Sequence, residues 1–234
     1  NFLPSTAVTF IEMWRPETFD PATIDRELGW AAGIGFSAIR VNLPFHGWLH
    51  DRDGLLDRLD RVMGIAAHHG LDTVPCLFDD CGFGGAEPVW GPQADPVPGV
   101  HNSRAVASPG RALVISGDKD AELEAYVRDV VRSFRTDPRV LFWDLYNEPG
   151  NRMDFAGADY GSFDSALGDH ALTLMENCFA WARAEDPAAP LTVAACVGHV
   201  ATDAGPVARP HAVLSRPSGQ ALGGYLNAAT AVEG

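Results

Sequence analysis

Val140-Leu141-Phe142-Trp143-Asp144-Leu145-Tyr146-Asn147-Glu148-Pro149 is an apolar run that ends in an amide, a carboxylic acid and a proline. Such a run is a buried strand that delivers two polar side chains to a sheet edge. Proline has no N–H for a sheet and biases the residue before it away from helix, so the strand stops at Asn147-Glu148. Parallel barrels and open α/β sheets keep their chemistry at that end of their strands. Alternation along a strand sends neighbouring side chains to opposite faces. Asn147 and Glu148 can therefore serve one site only where the backbone is already turning, and Pro149 gives that turn a cause.

Working outward, the apolar spacing alternates between strand and helix. Val8 to Met13, bounded by Pro4 and Pro16, reads as a first strand with Glu12, Trp14 and Arg15 at its end. Asp20-Pro21 supplies an N-cap and a proline at the first helical position, and Ile24, Leu28, Ala31 and Ala32 follow at helical spacing. Ser37 to Leu43 is a second strand closed by Pro44, with Arg40 at its centre. A cation inside a buried strand is costly unless paired, so Arg40 either sits on an exposed edge or reaches a carboxylate within the site. Leu55, Leu59, Val62, Met63, Ala66 and Ala67 form a helical stripe before Gly70. Thr73 to Phe78 is a third strand, although Pro75 weakens it.

Residues Asp79 to Asp118 carry no clear periodicity, and a loop of that length in a compact domain points to function or disorder. Phe83, Trp90 and His101 favour a substrate-facing loop. Leu123, Tyr126, Val127, Val130, Val131 and Phe134 mark the next helix, followed by the Val140 strand. Leu167, Ala171, Leu174, Cys178 and Trp181 mark another helix, and Leu191 to Val197 a fifth strand. The βα alternation implies an α/β fold with a parallel sheet and helices outside it.

After Gly198 the pattern gives way to an irregular stretch rich in Ala, Gly and Pro. An eight-unit barrel takes about 31 residues per unit, so three more units need on the order of 90 residues. Only 36 remain. The expectation is residues 1–198 as the N-terminal part of a (β/α)8 TIM-barrel type fold, about five of eight units, and residues 199–234 as a tail. A parallel edge left open by the missing units should aggregate or pair.

Composition narrows the function. The 234 residues suffice for one domain with a sizeable core, with 46% apolar and 21% charged residues. A net charge of −14 argues against nucleic acid and against an anionic membrane surface, and is compatible with a neutral partner such as a sugar. Cys76, Cys81, Cys178 and Cys196 show neither CxxC pairs nor a Cys/His cluster, so a zinc site is not expected. The expectation for cofactors is none.

Cleavage of a glycosidic bond takes two carboxyl groups, one acting as acid and the other as nucleophile or base. Asn147-Glu148-Pro149 resembles the Asn-Glu-Pro motif of clan A glycoside hydrolases, the cellulase-like barrel enzymes, and Ile39-Arg40-Val41-Asn42 is similar to their second-strand arginine segment. The resemblance covers about residues 5 to 198. It implies a retaining hydrolase of β-linked oligo- or polysaccharide, with Glu148 as general acid/base, Asn147 on the sugar 2-hydroxyl and Arg40 orienting the nucleophile. The family's nucleophile, a glutamate on strand seven, has no counterpart: Glu233 is the only glutamate after Glu185 and has no flanking strand. Trp14 and Trp90 are candidates for stacking on a sugar, Asp79 and Asp80 for bonding its hydroxyls, and His101 for contacting substrate. Trp48 could stack or pack; Trp143 and Trp181 read as core. Two other readings stand beside this one. One is an inactive carbohydrate-binding remnant, and the other is a metal-dependent barrel enzyme using Glu12, Asp79, Asp80 and Glu148.

Overall fold

Phe78 and Tyr146, neighbours across two buried strands, pack edge to face at 5.7 Å near the centre of the sheet. The computed structural model describes residues 1–100, 102–151, 166–195, 211–215 and 221–225. Along the chain run α1 (Phe10–Trp14), α2 (Pro21–Gly33), β1 (Ala38–Asn42), α3 (Phe45–His68), β2 (Asp72–Asp79), α4 (Arg111–Ser116) and α5 (Asp120–Phe134). Then come β3 (Trp143–Asn147), α6 (Ala166–Arg183), β4 (Leu191–Ala195), β5 (His211–Ser215) and β6 (Ala221–Tyr225). The sheet order follows the chain order. β1 to β4 are parallel, while β5 and β6 add antiparallel strands beyond β4. The parallel strands and their outer helices form an α/β fold of the incomplete-barrel kind.

Two expectations change. Val8 to Met13 is not a strand: Phe10–Trp14 is a helix, so Asn147-Glu148 closes the third strand of the sheet rather than the fourth. The physical reason is local. The Thr9 hydroxyl accepts a hydrogen bond from the Glu12 N–H, and the Glu12 carboxylate accepts one from the Val8 N–H at 2.7 Å. Donors that a short strand would leave open are thereby satisfied as a helix N-terminus. The segment after Gly198 is not wholly irregular either, because β5 pairs along the β4 edge from Ala195↔His211 to Thr192↔Leu214. The β4 edge is thus covered within the chain.

The other helices form where the spacing places them. Asp20 caps α2 by accepting from the Thr23 N–H at 3.1 Å, with Pro21 at the first position. Leu55, Leu59, Val62, Met63 and Ala66 of α3 are buried, as is the Leu123–Phe134 stripe of α5. Pro75 is accommodated in β2 by a gap in pairing. The β2–β3 contact consists of an isolated Thr73↔Val140 bridge and a ladder that begins only at Cys76↔Asp144. A residue without an N–H sits where no bond to β3 is made. Glu185, at the end of α6, receives Arg128 at 3.1 Å and Arg132 at 2.8 Å and so ties α6 to α5. Among the described residues no helix is long and apolar enough to cross a membrane.

The phenol of Tyr126 reaches from α5 into the sheet, lying 2.9 Å from the Leu43 carbonyl and 3.0 Å from that of Leu77. It links the ends of β1 and β2 to the helix layer. Tyr126→Phe is expected to cost about 1–2 kcal/mol, because the buried carbonyls lose a donor with no water to replace it. Urea denaturation at constant m-value checks this.

Candidate functional site

Arg40 and Asn42 stand two residues apart on β1 and so share one face. With Asp79 of β2, Cys81, Asn147 of β3 and Glu148 they line a cavity of about 540 Å³ at the carboxyl ends of the parallel strands. The Phe2–Phe10 segment and part of the loop between β2 and α4 form its other walls. That loop is held close to the sheet. Asp79 and Ser108 exchange backbone hydrogen bonds at 2.8 and 2.7 Å, and the Gly84 N–H donates to the Ala105 carbonyl at 2.8 Å. A β-carbon on Gly84 would lie 2.9 Å from the Ala105 oxygen, so this close approach requires glycine.

Glu148 is the residue at which the chain turns. Its φ is +48°, in the left-handed region that costs a residue with a β-carbon roughly 1–2 kcal/mol. The expected turn therefore falls on Glu148 itself, next to Pro149, and lets both Asn147 and Glu148 face the cavity. The Glu148 carboxylate accepts from the Cys81 thiol at 3.2 Å and from the Asn151 amide. The Asn147 amide donates to Asp79 Oδ1 at 3.0 Å and to the Cys81 sulfur at 3.2 Å. Burial, followed by the charges of Asp79 and Glu148, pushes the Cys81 thiol far above its usual range, so it remains a protonated donor.

Asp79 is buried among donors from three chain segments: the amides of Asn42 and Asn147 and the Cys81 N–H at 2.7 Å. Burial raises its pKa, and the hydrogen bonds from Asn147 and Cys81 work in the opposite direction. Arg40 forms an ion pair with the fully buried Asp144 at 3.1 Å, which answers the question of a cation within a strand. Burial works against its charge, while Cys76, Asp144 and Asp79 hold the guanidinium protonated.

Of the side chains anticipated at the site, Arg40, Asp79, Asn147 and Glu148 come together. Trp14 does not: it is fully buried in α1 and its indole N–H donates to the Asn42 carbonyl at 2.7 Å, so it supports the end of β1 from behind. Asp80 is also fully buried and turned away, bonded to Tyr146 and Gly150. Trp90 stacks on His50 with ring centres 6.3 Å apart and lies outside the cavity lining. His101, Cys196 and Glu233 lie outside the described residues. Trp48 packs, its indole donating to Asp129 at 2.8 Å. Asn42, Cys81 and Asn151 were missed. Asn42 had one available signal, its two-residue spacing from Arg40, whereas Cys81 and Asn151 reach Glu148 only through the tertiary fold. Glu12 caps its own helix and Asp80 faces inward, so the four acids considered for a metal do not converge. Among the described residues no group of three or more His, Cys, Asp or Glu side chains is placed to hold a metal ion.

No protein-family profile and no curated protein sequence matches the chain. Among solved structures its fold is similar to that of GH5_18 from Streptomyces cattleya in complex with GlcNAc. The match has 18% identity and a TM-score of 0.51, over 79% of this chain and 41% of that one. It is also similar to a beta-1,4-mannanase from the common sea hare Aplysia kurodai, at 15% identity and a TM-score of 0.51, over 81% of this chain and 57% of that one. The chain thus spans about two-fifths to three-fifths of the length of these structures. At such identity the likeness is one of fold: the parallel α/β architecture of β1 to β4 is shared with these two structures.

Two predictions follow from this geometry. Glu148→Gly and Glu148→Ala both delete the carboxylate, but only glycine relieves the left-handed backbone. The glycine variant is expected to be more stable by about 1 kcal/mol in thermal denaturation. The second concerns Asp80, whose carboxyl is raised by burial to about 7 against hydrogen bonds from Gly150 and Tyr146. An unfolded aspartate releases its proton near pH ~4, so between there and about 7 the native state holds a proton that the unfolded chain has lost. This contribution is fully present below the lower value and disappears as pH rises through the upper one. Stability measured by urea unfolding should fall from pH 5 to pH 8, and fall less in Asp80→Asn.

Proposed function

We propose that the chain carries the acid/base part of a retaining glycoside hydrolase site for β-linked oligo- or polysaccharide. The observation that supports this best is the Glu148 carboxylate, held at a strand end and turned into a cavity beside Asn147 and Arg40. Glu148 donates its proton to the glycosidic oxygen as the nucleophilic carboxylate bonds the anomeric carbon and the glycosidic bond breaks. It then takes a proton from the water that releases the sugar. Asn147 lies beside it to bond a sugar hydroxyl, and Arg40, ion-paired with Asp144, lines the cavity where it orients the nucleophile.

A retaining site needs its second carboxyl about 5–5.5 Å from the first. Asp79 and Glu148 are the carboxylates lining the cavity among the described residues, and Asp79 is committed to the donors around it. The nucleophile is therefore assigned to no described residue. The same observation favours a second reading, a carbohydrate-binding chain without turnover.

Hydrolysis of a panel of aryl β-glycosides separates the two. A glycosidase should lose roughly 10²–10⁴-fold in kcat in Glu148→Gln. Turnover unaffected by that substitution would contradict the role of Glu148. Soluble protein that gives no turnover yet gains thermal stability with a β-linked oligosaccharide would favour the binding reading.

A further inference from the structure

We infer that Asp80 is a positioning residue for Glu148, holding the turn that aims the Glu148 carboxylate into the cavity; this rests on the glycosidase reading above. Asp80 has no exposed surface and does not line the cavity, so it cannot contact a sugar. Its bonds instead bracket Glu148 along the chain. Before Glu148, the Tyr146 hydroxyl lies 2.9 Å from both Asp80 carboxylate oxygens, and the Asp80 N–H donates to the Asn147 carbonyl at 3.2 Å. After Glu148, the Gly150 N–H donates to Asp80 Oδ2 at 2.6 Å. Asp80 is itself fixed from α4, where the Arg111 guanidinium donates to its carbonyl at 3.1 Å.

The turn needs such a hold. Glu148 at φ +48° holds a left-handed conformation that a residue with a β-carbon keeps only where its surroundings over-determine it, while Gly150 at φ +74° continues the turn without such a cost. In its ionised form, which prevails above about pH 7, the carboxylate suits the task, since one oxygen can accept from Gly150 while the group still accepts from the Tyr146 hydroxyl. A carboxamide offers a single acceptor oxygen and turns an N–H₂ toward one of these donors. The predicted damage is therefore to the aim of Glu148 rather than to the cavity walls.

The test uses the full chain with Asp80→Asn, Tyr146→Phe and Glu148→Gln, read in two ways. By NMR hydrogen exchange, the Gly150 amide should exchange at least about tenfold faster in Asp80→Asn. Tyr146→Phe keeps the Gly150 bond and should show a smaller effect, and it serves if Asp80→Asn does not fold. By kinetics, mis-aimed acid catalysis should lower kcat at least about tenfold on glycosides with poor leaving groups, and less than about threefold on activated ones that need little proton donation. A merely structural role would lower both alike. Unchanged Gly150 exchange overturns the inference whatever the activity. Faster exchange with no leaving-group split, in an enzyme that Glu148→Gln inactivates, also overturns it. Absence of turnover in the unmodified protein overturns the glycosidase reading instead, and the exchange result alone then decides whether Asp80 holds the turn.

Discussion

The carboxylate of Asp79 is buried at the cavity end of the sheet, where an unpaired charge would be prohibitively expensive. Its solution is to gather donors. Asn42 from the strand on one side, Asn147 from the strand on the other, and the Cys81 N–H from the loop that follows all point at it. One buried acid therefore fixes the separation of three strand ends and the direction in which the loop departs. Two neighbours of Glu148 inherit their positions from that cluster. Cys81, turned by its N–H bond to Asp79, presents its thiol to Glu148, and Asn147 is held beside the acid it accompanies.

The two adjacent aspartates divide the work between them. Asp79 organises the strand ends from within the cavity lining, while Asp80 points the other way and holds the Tyr146 hydroxyl before Glu148 and the Gly150 N–H after it. Both operate under a desolvation penalty that raises their pKa values. Stability is thus spent on geometry at the strand ends, whereas the outer layer is held by ordinary burial and by ion pairs such as the Glu185 link between α5 and α6.

Much of this was legible in the sequence because it depends on local rules. The α2, α3, α5 and α6 stripes, the Asp20-Pro21 cap and the proline-terminated Val140 strand all follow from spacing and backbone chemistry. Arg40 could be identified as needing a partner, although nothing local named Asp144. Val8 to Met13 was misread because four apolar residues among six cannot by themselves separate strand from short helix. The deciding signal, Thr9 followed three residues later by Glu12, was present and overlooked. Trp14, Trp90 and Asp80 were placed at the site because each follows a strand end or lies in a long loop. Which way a side chain turns at such a place is set by what lies behind it, and that is tertiary information. The same limit hid Cys81, whose relation to Glu148 spans 67 residues.

The most direct measurement is an NMR titration of the protein with β-1,4-linked gluco- and manno-oligosaccharides. If the cavity at the strand ends is the sugar site, the backbone amide resonances of Cys81, Asn147, Glu148 and Gly150 should shift together and saturably. No perturbation there, or perturbation confined to a distant surface such as the exposed Trp30, Ile34 and Phe36 at the end of α2, would contradict the account.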